Sequence, residues 1–194
     1  MILACLDLEG VLVPEIWIAF AEKTGIEKLR LTTRDIPDYD ELMQGRLKLL
    51  KDNGLKISDI HAVIKEISPM EGAKEFISWL KTKFQVIILS DTFNQFAGPL
   101  MAQLDYPTIF CHDLIVNSSG EITDYKLRIP DAKTKAVKAF QNLNLKVIAA
   151  GDSYNDTGML KQAEAGILFR APSNVIEEFP QFPVTHEYEG FKKI

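Results

Sequence analysis

The sequence predicts an α/β protein with a doubly wound, mostly parallel sheet and a small inserted helical segment. Short apolar runs typical of buried strands alternate with stretches of helical periodicity through most of the chain. This alternation favours strands joined by helical crossovers, which place neighbouring strands parallel. Several helical patterns follow the first strand in succession, so we expect an insertion at that point.

The insertion divides the chain into two expected units. Residues 13–70 are expected to form a helical cap, and residues 1–12 and 71–194 the α/β core. Ligands of doubly wound sheets bind beyond the carboxyl ends of the strands. We therefore expect the cap to cover that end of the sheet.

The cap is expected to contain three helices. The first spans residues 15–23 and is closed by Gly25, the second is capped by Asp38 and runs to about Lys51, and the third is capped by Ser58. The apolar residues of the third helix recur at the spacing of an amphipathic helix: Ile60, Val63, Ile64 and Ile67.

The core pattern then alternates helices with strands. Helices are expected at residues 71–83, 94–104 and 134–143, at 155–164, and in a short segment after Pro172. Strands are expected at residues 2–6, 85–90, 108–111, 146–150 and 166–169. Residues 114–117 and 121–127 flank a turn-forming run, Asn117-Ser118-Ser119-Gly120, and are expected to form a hairpin.

Composition excludes several classes of function. The net charge of −5 argues against general nucleic-acid binding, which needs clustered basic residues. No apolar run approaches the roughly 20 residues of a membrane span, and no signal peptide is evident, so we expect a cytoplasmic protein without a membrane partner. Cys5 and Cys111 are expected to be buried free thiols. The histidines lack metal-ligand spacing and need no catalytic role: His61, His112 and His186.

Two apolar runs end in acidic residues. Asp7 and Glu9 follow the first run, and Asp152 and Asp156 follow the run at residues 146–150. A carboxylate at the end of a buried strand is unfavourable unless a cation compensates it. Parallel strands bring such ends together, and clustered carboxylate oxygens suit Mg²⁺. The sequence therefore predicts a Mg²⁺ site.

Two further motifs lie between the acid clusters, Ser90-Asp91-Thr92-Phe93 and Asp131-Ala132-Lys133-Thr134. In this order the motifs resemble those of the haloacid dehalogenase superfamily of phosphoryl-transfer enzymes, which have a Rossmann-like core. Within it the chain is similar to the phosphoserine phosphatase branch. Asp7-Leu8-Glu9-Gly10-Val11 and the Ser90 motif resemble most the bacterial bifunctional enzymes that also transfer phosphoryl groups to homoserine.

The resemblance implies roles for the catalytic residues. Asp7 is the expected nucleophile, Glu9 the proton donor and base, and Lys133 the cation that offsets phosphoryl charge. Most relatives have aspartate where this chain has Glu9, whose side chain is one methylene longer. Lys135 is an alternative to Lys133, because both lie where a loop enters a helix.

The implied Mg²⁺ ligands are the side chains of Asp7 and Asp152 and the backbone carbonyl of Glu9. Asp156 is expected to hold metal-bound water or Lys133. Its position at a helix start would also suit a simple helix cap.

Substrate contacts are implied in the same way. Ser90, the backbone N–H of Asp91 and Asn155 are expected to contact the phosphoryl group or substrate. Asp91 replaces the usual glycine, and its carboxylate would repel phosphate unless it turned away. Glu15 and Arg46 match positions that bind the ammonium and carboxylate groups of an amino acid.

The expected function is phosphoserine hydrolysis through an aspartyl-phosphate, with transfer to homoserine as a second activity. One alternative is a phosphatase for another small phosphate ester, such as a sugar phosphate. Another is a weakly active domain that binds a phosphorylated metabolite for regulation. The sequence leaves open whether the chain forms a homodimer.

Overall fold

The structure, a computed structural model, describes residues 1–33, 35–36 and 38–193. The strands are β1 Ile2–Leu6, β2 Gln85–Phe93, β3 Thr108–Val116, β4 Ile122–Lys126, β5 Lys146–Gly151, β6 Ala165–Phe169 and β7 Val184–Thr185. The α-helices are α1 Ile16–Thr24, α2 Tyr39–Asp52, α3 Ile57–Glu66, α4 Ala73–Lys81, α5 Asn94–Gln103, α6 Ala132–Asn142, α7 Thr157–Gln162, α8 Ser173–Glu178 and α9 Tyr188–Phe191. Two 3₁₀ turns lie at Glu27–Arg30 and Tyr154–Asp156.

The strands form one sheet in the order β4-β3-β2-β1-β5-β6-β7. All neighbouring pairs are parallel except β3 and β4, which are antiparallel. Leu6 at the end of β1 pairs with Ile88 of β2 and with Ala150 of β5. The residues that follow these positions therefore share one edge of the sheet, which confirms the predicted fold class.

Helices cover both faces of the sheet. On the central strand, Ala4 and Leu6 belong to an apolar cluster with α1 to α5, whereas Leu3 and Cys5 belong to a second cluster with α6, α7 and α8. The alternation follows from the strand period of two residues. Cys5 and Cys111 are both buried and free, as predicted.

Helices α1, α2 and α3 lie between β1 and α4, where the sequence predicts an insertion. The Asp38 carboxylate accepts the backbone N–H of Glu41 at 2.9 Å and caps α2 as predicted. The predicted cap at Ser58 is wrong. The Asp59 carboxylate accepts the Lys56 N–H at 2.7 Å, which sets the start of α3 one residue before Ser58.

Four core elements differ from the predictions. The runs at 108–111 and 114–117 form one strand, β3, because His112 pairs with β2 and Asp113 with β4. Helix α7 is shorter than predicted, since a 3₁₀ turn replaces its first residues. Strand β7 and helix α9 were not predicted, because each is too short to show a period.

Helix α9 is fixed by aromatic packing. The Tyr188 ring stacks on Phe76 at 4.6 Å and on Phe169 at 4.9 Å between ring centroids. Its buried hydroxyl donates a 2.7 Å hydrogen bond to the carbonyl of Val11, which lies just after the first acidic motif. No helix in the part of the chain described by the structure is long and apolar enough to cross a membrane.

We expect Tyr188→Phe to lower the free energy of unfolding by about 1–2 kcal/mol, because the buried Val11 carbonyl loses its donor. Urea denaturation measures the change. Tyr106→Phe is the matched control, since Tyr106 is 74% exposed, and it should leave stability unchanged. Equal stability of Tyr188→Phe and the wild type would contradict a structural role for this hydrogen bond.

Candidate active site

One cavity at the carboxyl edge of the sheet brings together residues that are far apart in sequence. The predicted site residues that line it are Asp7, Glu9, Glu15, Arg46, Ser90, Asp91, Lys133, Asp152 and Asn155. Asp156 is fully buried and contacts Lys133. The alternative Lys135 is not among the described lining residues, so the geometry favours Lys133.

Lys133 is the electrostatic centre of the site. It lies in the first turn of α6, is only 4% exposed, and its Nζ is 2.7 Å from Asp156 Oδ1, 3.0 Å from Asp7 Oδ1 and 3.5 Å from Asp91 Oδ2. Burial lowers the pKa of Lys133, but the three carboxylates outweigh burial and raise it well above its usual value. The ammonium group therefore stays charged.

The single positive charge of Lys133 does not offset the negative charge of all the carboxylates in the site. Asp7, Asp152 and Asp156 each place one oxygen within 4.8 Å of the others. Burial and the charge of Asp156 raise the pKa of Asp7 well above its usual value, and Lys133 only partly reverses the shift. A hard divalent cation suits this all-oxygen, negatively charged donor set, so the residues fit Mg²⁺.

Both carboxylate oxygens of Asp156 accept hydrogen bonds. Oδ1 accepts from Lys133, and Oδ2 accepts the backbone N–H groups of Asp152 and Ser153 at 3.0 and 3.1 Å. Asp156 thus fixes both the lysine and the loop that carries Asp152.

Gly10 allows two loops to approach each other closely. Its φ of +77° lies in the left-handed region, and a Cβ built there would be 2.5 Å from Cγ of Asp152. A side chain at this position would displace the Asp152 carboxylate or strain the turn. The glycine is therefore required by the acidic cluster as well as by the turn.

Glu9 connects the site to the first helix of the insertion. Its Oε2 accepts the backbone N–H of Ile16, the first residue of α1, at 2.9 Å. Burial and the charge of Glu15 raise the pKa of Glu9 to about 8, which favours the protonated carboxyl group near neutral pH.

Arg46 projects from α2 into the same cavity and is 8% exposed. Its Nη2 donates to the Leu31 carbonyl at 2.9 Å, and its guanidinium lies 4.5 Å from the ring centroid of Trp17. Burial lowers the pKa of Arg46 to about 10. Arg46 Nε is buried without a hydrogen-bond partner among the described residues, which makes it available to a ligand.

The Ser90–Phe93 segment at the end of β2 contacts a residue of β3, His112, that the sequence predictions missed. Ser90 Oγ accepts the Thr92 N–H at 3.1 Å, and the Asp91 carboxylate is held by Asn155 at 2.6 Å and His112 at 3.3 Å. His112 has no motif spacing relative to these residues. The only sequence signal is a polar residue that follows the apolar run Ile109-Phe110-Cys111 of β3.

The fold and the site define a class of phosphoryl-transfer enzymes. A sequence model of haloacid dehalogenase-like hydrolases matches residues 3–164, and the chain belongs to this family. It is 62% identical to a phosphoserine phosphatase of Pseudomonas syringae pv. tomato, over 98% of this chain and 81% of that protein. It is 61% identical to the protein named phosphoserine phosphatase ThrH of Pseudomonas aeruginosa, over 100% of this chain and 94% of that one.

A solved structure is similar over nearly the whole chain. It is described as a phospho-aspartyl intermediate analogue of phosphoserine phosphatase, and it superposes with a TM-score of 0.80 at 25% sequence identity. The similarity covers 98% of this chain and 97% of that one.

We expect Gly10→Ala to weaken Mg²⁺ binding by about tenfold or more, because the added methyl group displaces the Asp152 carboxylate. Titration calorimetry with Mg²⁺ measures the affinity without turnover. Gly98→Ala is the matched control, since nothing lies within 4 Å of a Cβ at that helical position. Unchanged Mg²⁺ affinity in Gly10→Ala would show that the close approach does not shape a metal site.

Proposed function

We propose that this chain is a Mg²⁺-dependent phosphoserine phosphatase that forms an aspartyl-phosphate on Asp7. The observation that carries the proposal is the buried cluster in which Asp7 Oδ1 lies 3.0 Å from Lys133 Nζ at the edge of the sheet. The two Pseudomonas relatives, both named phosphoserine phosphatases, support the substrate. The similar phospho-aspartyl analogue structure supports the intermediate.

The first half-reaction transfers the phosphoryl group to the enzyme. An Asp7 carboxylate oxygen attacks phosphorus, and the bond between phosphorus and the serine oxygen breaks. The Glu9 carboxyl group gives its proton to that oxygen, so serine leaves as a neutral alcohol. Lys133 stays in contact with Asp7 and offsets negative charge on the phosphoryl oxygens.

The second half-reaction regenerates the enzyme. The Glu9 carboxylate takes a proton from water as the water oxygen attacks phosphorus. The bond between phosphorus and Asp7 breaks, and inorganic phosphate leaves. Glu9 is then protonated again, as at the start of the cycle.

Asp7, Asp152 and the Glu9 carbonyl are the proposed Mg²⁺ ligands, with Asp156 orienting Lys133 and the loop of Asp152. Bound Mg²⁺ would neutralise part of the charge around the phosphoryl group. Ser90 and the Asp91 N–H are proposed to donate to phosphoryl oxygens, and Asn155 to contact them through its amide.

Residues 13–70 are proposed to act as a cap that selects the substrate. Glu15 and Arg46, which line the cavity from this segment, are a charge pair suited to an ammonium and a carboxylate group. The Tyr39 hydroxyl at the start of α2 donates to the Asp91 carbonyl at 3.3 Å and joins this segment to the core. A neutral or sugar head group would leave the buried Arg46 unpaired.

Transfer to homoserine is proposed as a second activity. Glu9 can take a proton from an alcohol as well as from water, and the similarity to phosphoserine phosphatase ThrH covers the whole chain. The cytoplasmic location remains a prediction from the sequence, which leaves open whether the chain forms a homodimer. The alternative functions are a phosphatase for another small phosphate ester and a weakly active regulator.

The decisive experiment incubates the protein with phosphoserine and Mg²⁺, with and without homoserine, and follows serine, phosphate and phosphohomoserine. We expect phosphate release without homoserine, and phosphohomoserine with less phosphate per serine when homoserine is present. Hydrolysis without phosphohomoserine would remove the transferase activity alone. A faster reaction with a sugar phosphate in a substrate panel would favour the alternative phosphatase.

We expect Asp7→Asn to lower turnover by at least about a thousandfold, because an amide cannot form the phosphoenzyme. Activity and the phosphorylated protein mass are measured together. Far-ultraviolet circular dichroism checks the fold, and peptide mass spectrometry checks for deamidation back to Asp. Retained activity in intact Asp7→Asn would remove Asp7 as the nucleophile.

We expect Arg46→Ala and Glu15→Gln to reduce kcat/KM for phosphoserine by about tenfold to a hundredfold, through loss of a charge-assisted contact. Hydrolysis of p-nitrophenyl phosphate should change much less, since it lacks the amino-acid head group. Arg30→Ala is a control for Arg46, because Arg30 is an exposed arginine paired with Glu22. Equal losses on both substrates would indicate a structural role instead.

A further inference from the structure

The Asp91 carboxylate lines the cavity of the proposed reaction and contacts two of its proposed phosphate donors. Asp91 Oδ2 is 2.6 Å from Asn155 Nδ2 and 3.5 Å from Lys133 Nζ. A carboxylate at this position is unfavourable for substrate binding, because it adds negative charge beside the position of an anionic substrate. The proposed hydrolysis and transfer steps make no use of this side chain.

His112 holds the other oxygen of this carboxylate. The imidazole is 3% exposed, and its Nδ1 accepts the backbone N–H of Arg128 at 3.2 Å. Because Nδ1 accepts this hydrogen bond, Nε2 is the ring nitrogen that donates to Asp91 Oδ1, at 3.3 Å. Phe93 of β2 pairs with His112 of β3 in the sheet, and this pairing brings the side chains of Asp91 and His112 together.

The surroundings keep Asp91 ionised. Burial raises the pKa of this carboxyl group, but Lys133 and the hydrogen bonds from His112 and Asn155 outweigh burial and hold the pKa well below its usual range. The site therefore contains a carboxylate anion that accepts a hydrogen bond from Asn155 and contacts Lys133 in the absence of phosphate.

A phosphoryl group that binds Lys133 and Asn155 must compete with this anion. Lys133 already contacts three carboxylates, and the Asn155 amide directs one of its two N–H donors at Asp91. Phosphate gains less from donors that are already satisfied, and it approaches a like charge. The penalty applies to free phosphate, the proposed product, as well as to the substrate.

We propose that Asp91 is a built-in competitor of phosphate that keeps Lys133 and Asn155 oriented and weakens product binding, with His112 as its positioning residue. The inference rests on the proposed phosphatase function for its purpose. Its physical content, competition between a carboxylate and phosphate for two donors, is measurable without turnover.

The test is the dissociation constant of inorganic phosphate, measured by titration calorimetry with Mg²⁺ present. Asp91→Asn keeps the shape but removes the charge, and we expect phosphate to bind about tenfold more tightly. Phosphate should also become a stronger inhibitor of p-nitrophenyl phosphate hydrolysis. Asp91→Ser, checked by thermal melting, is the second variant and should shift affinity in the same direction.

His112 is tested with a matched pair of variants. His112→Gln can still donate to Asp91, whereas His112→Asn is too short to replace Nε2. We expect His112→Asn to tighten phosphate binding about threefold, because Asp91 is then held less firmly against Lys133 and Asn155, and His112→Gln to restore the wild-type value. In the Asp91→Asn background, His112→Asn should have no further effect on phosphate affinity.

Unchanged or weaker phosphate binding in both Asp91 variants would overturn the proposal and make Asp91 a purely structural support for the donors. A His112→Asn effect of equal size with and without Asp91 would remove His112 as its positioning residue. If the variants bind phosphate more tightly while the wild type fails to hydrolyse phosphoserine, the proposed substrate is wrong and the competition stands.

Discussion

The buried ammonium group of Lys133 is the interaction on which the rest of the site depends. Carboxylates of Asp7, Asp91 and Asp156 surround it, and each would be unfavourable in this position without a cation. The lysine offsets only part of their charge. The remaining negative charge suits a divalent cation, and the ammonium supplies positive charge for the proposed phosphoryl transfer.

Sheet topology brings this cluster together. The central strand β1 pairs with β2 on one side and β5 on the other, so Asp7, Ser90 and Asp152 emerge at one edge. The two acidic loops can then approach only because Gly10 has no side chain. Asp156 completes the arrangement by holding the loop of Asp152 and the lysine with one carboxylate.

The inserted helices are joined to the chemistry by a few direct contacts. The Glu9 carboxyl group accepts the first free N–H of α1, so the proposed proton donor also fixes the start of the helix that follows Glu15. The extra methylene of glutamate extends its reach toward that helix end. Arg46 is held from the same segment by Trp17 and by the Leu31 carbonyl. The residues proposed for proton transfer and for head-group recognition therefore share one wall of the cavity.

The sequence by itself determined the fold class, the alternation of most strands and helices, and the charged and polar motif residues of the cavity, because these depend on local periodicity and on motif order. Tertiary structure decided the contacts between distant segments. The pairing of β2 with β3 creates the Asp91–His112 contact, and the packing of Tyr188 fixes a C-terminal helix that shows no periodicity. Such contacts arise from pairing register and burial across the fold, and no local pattern encodes them.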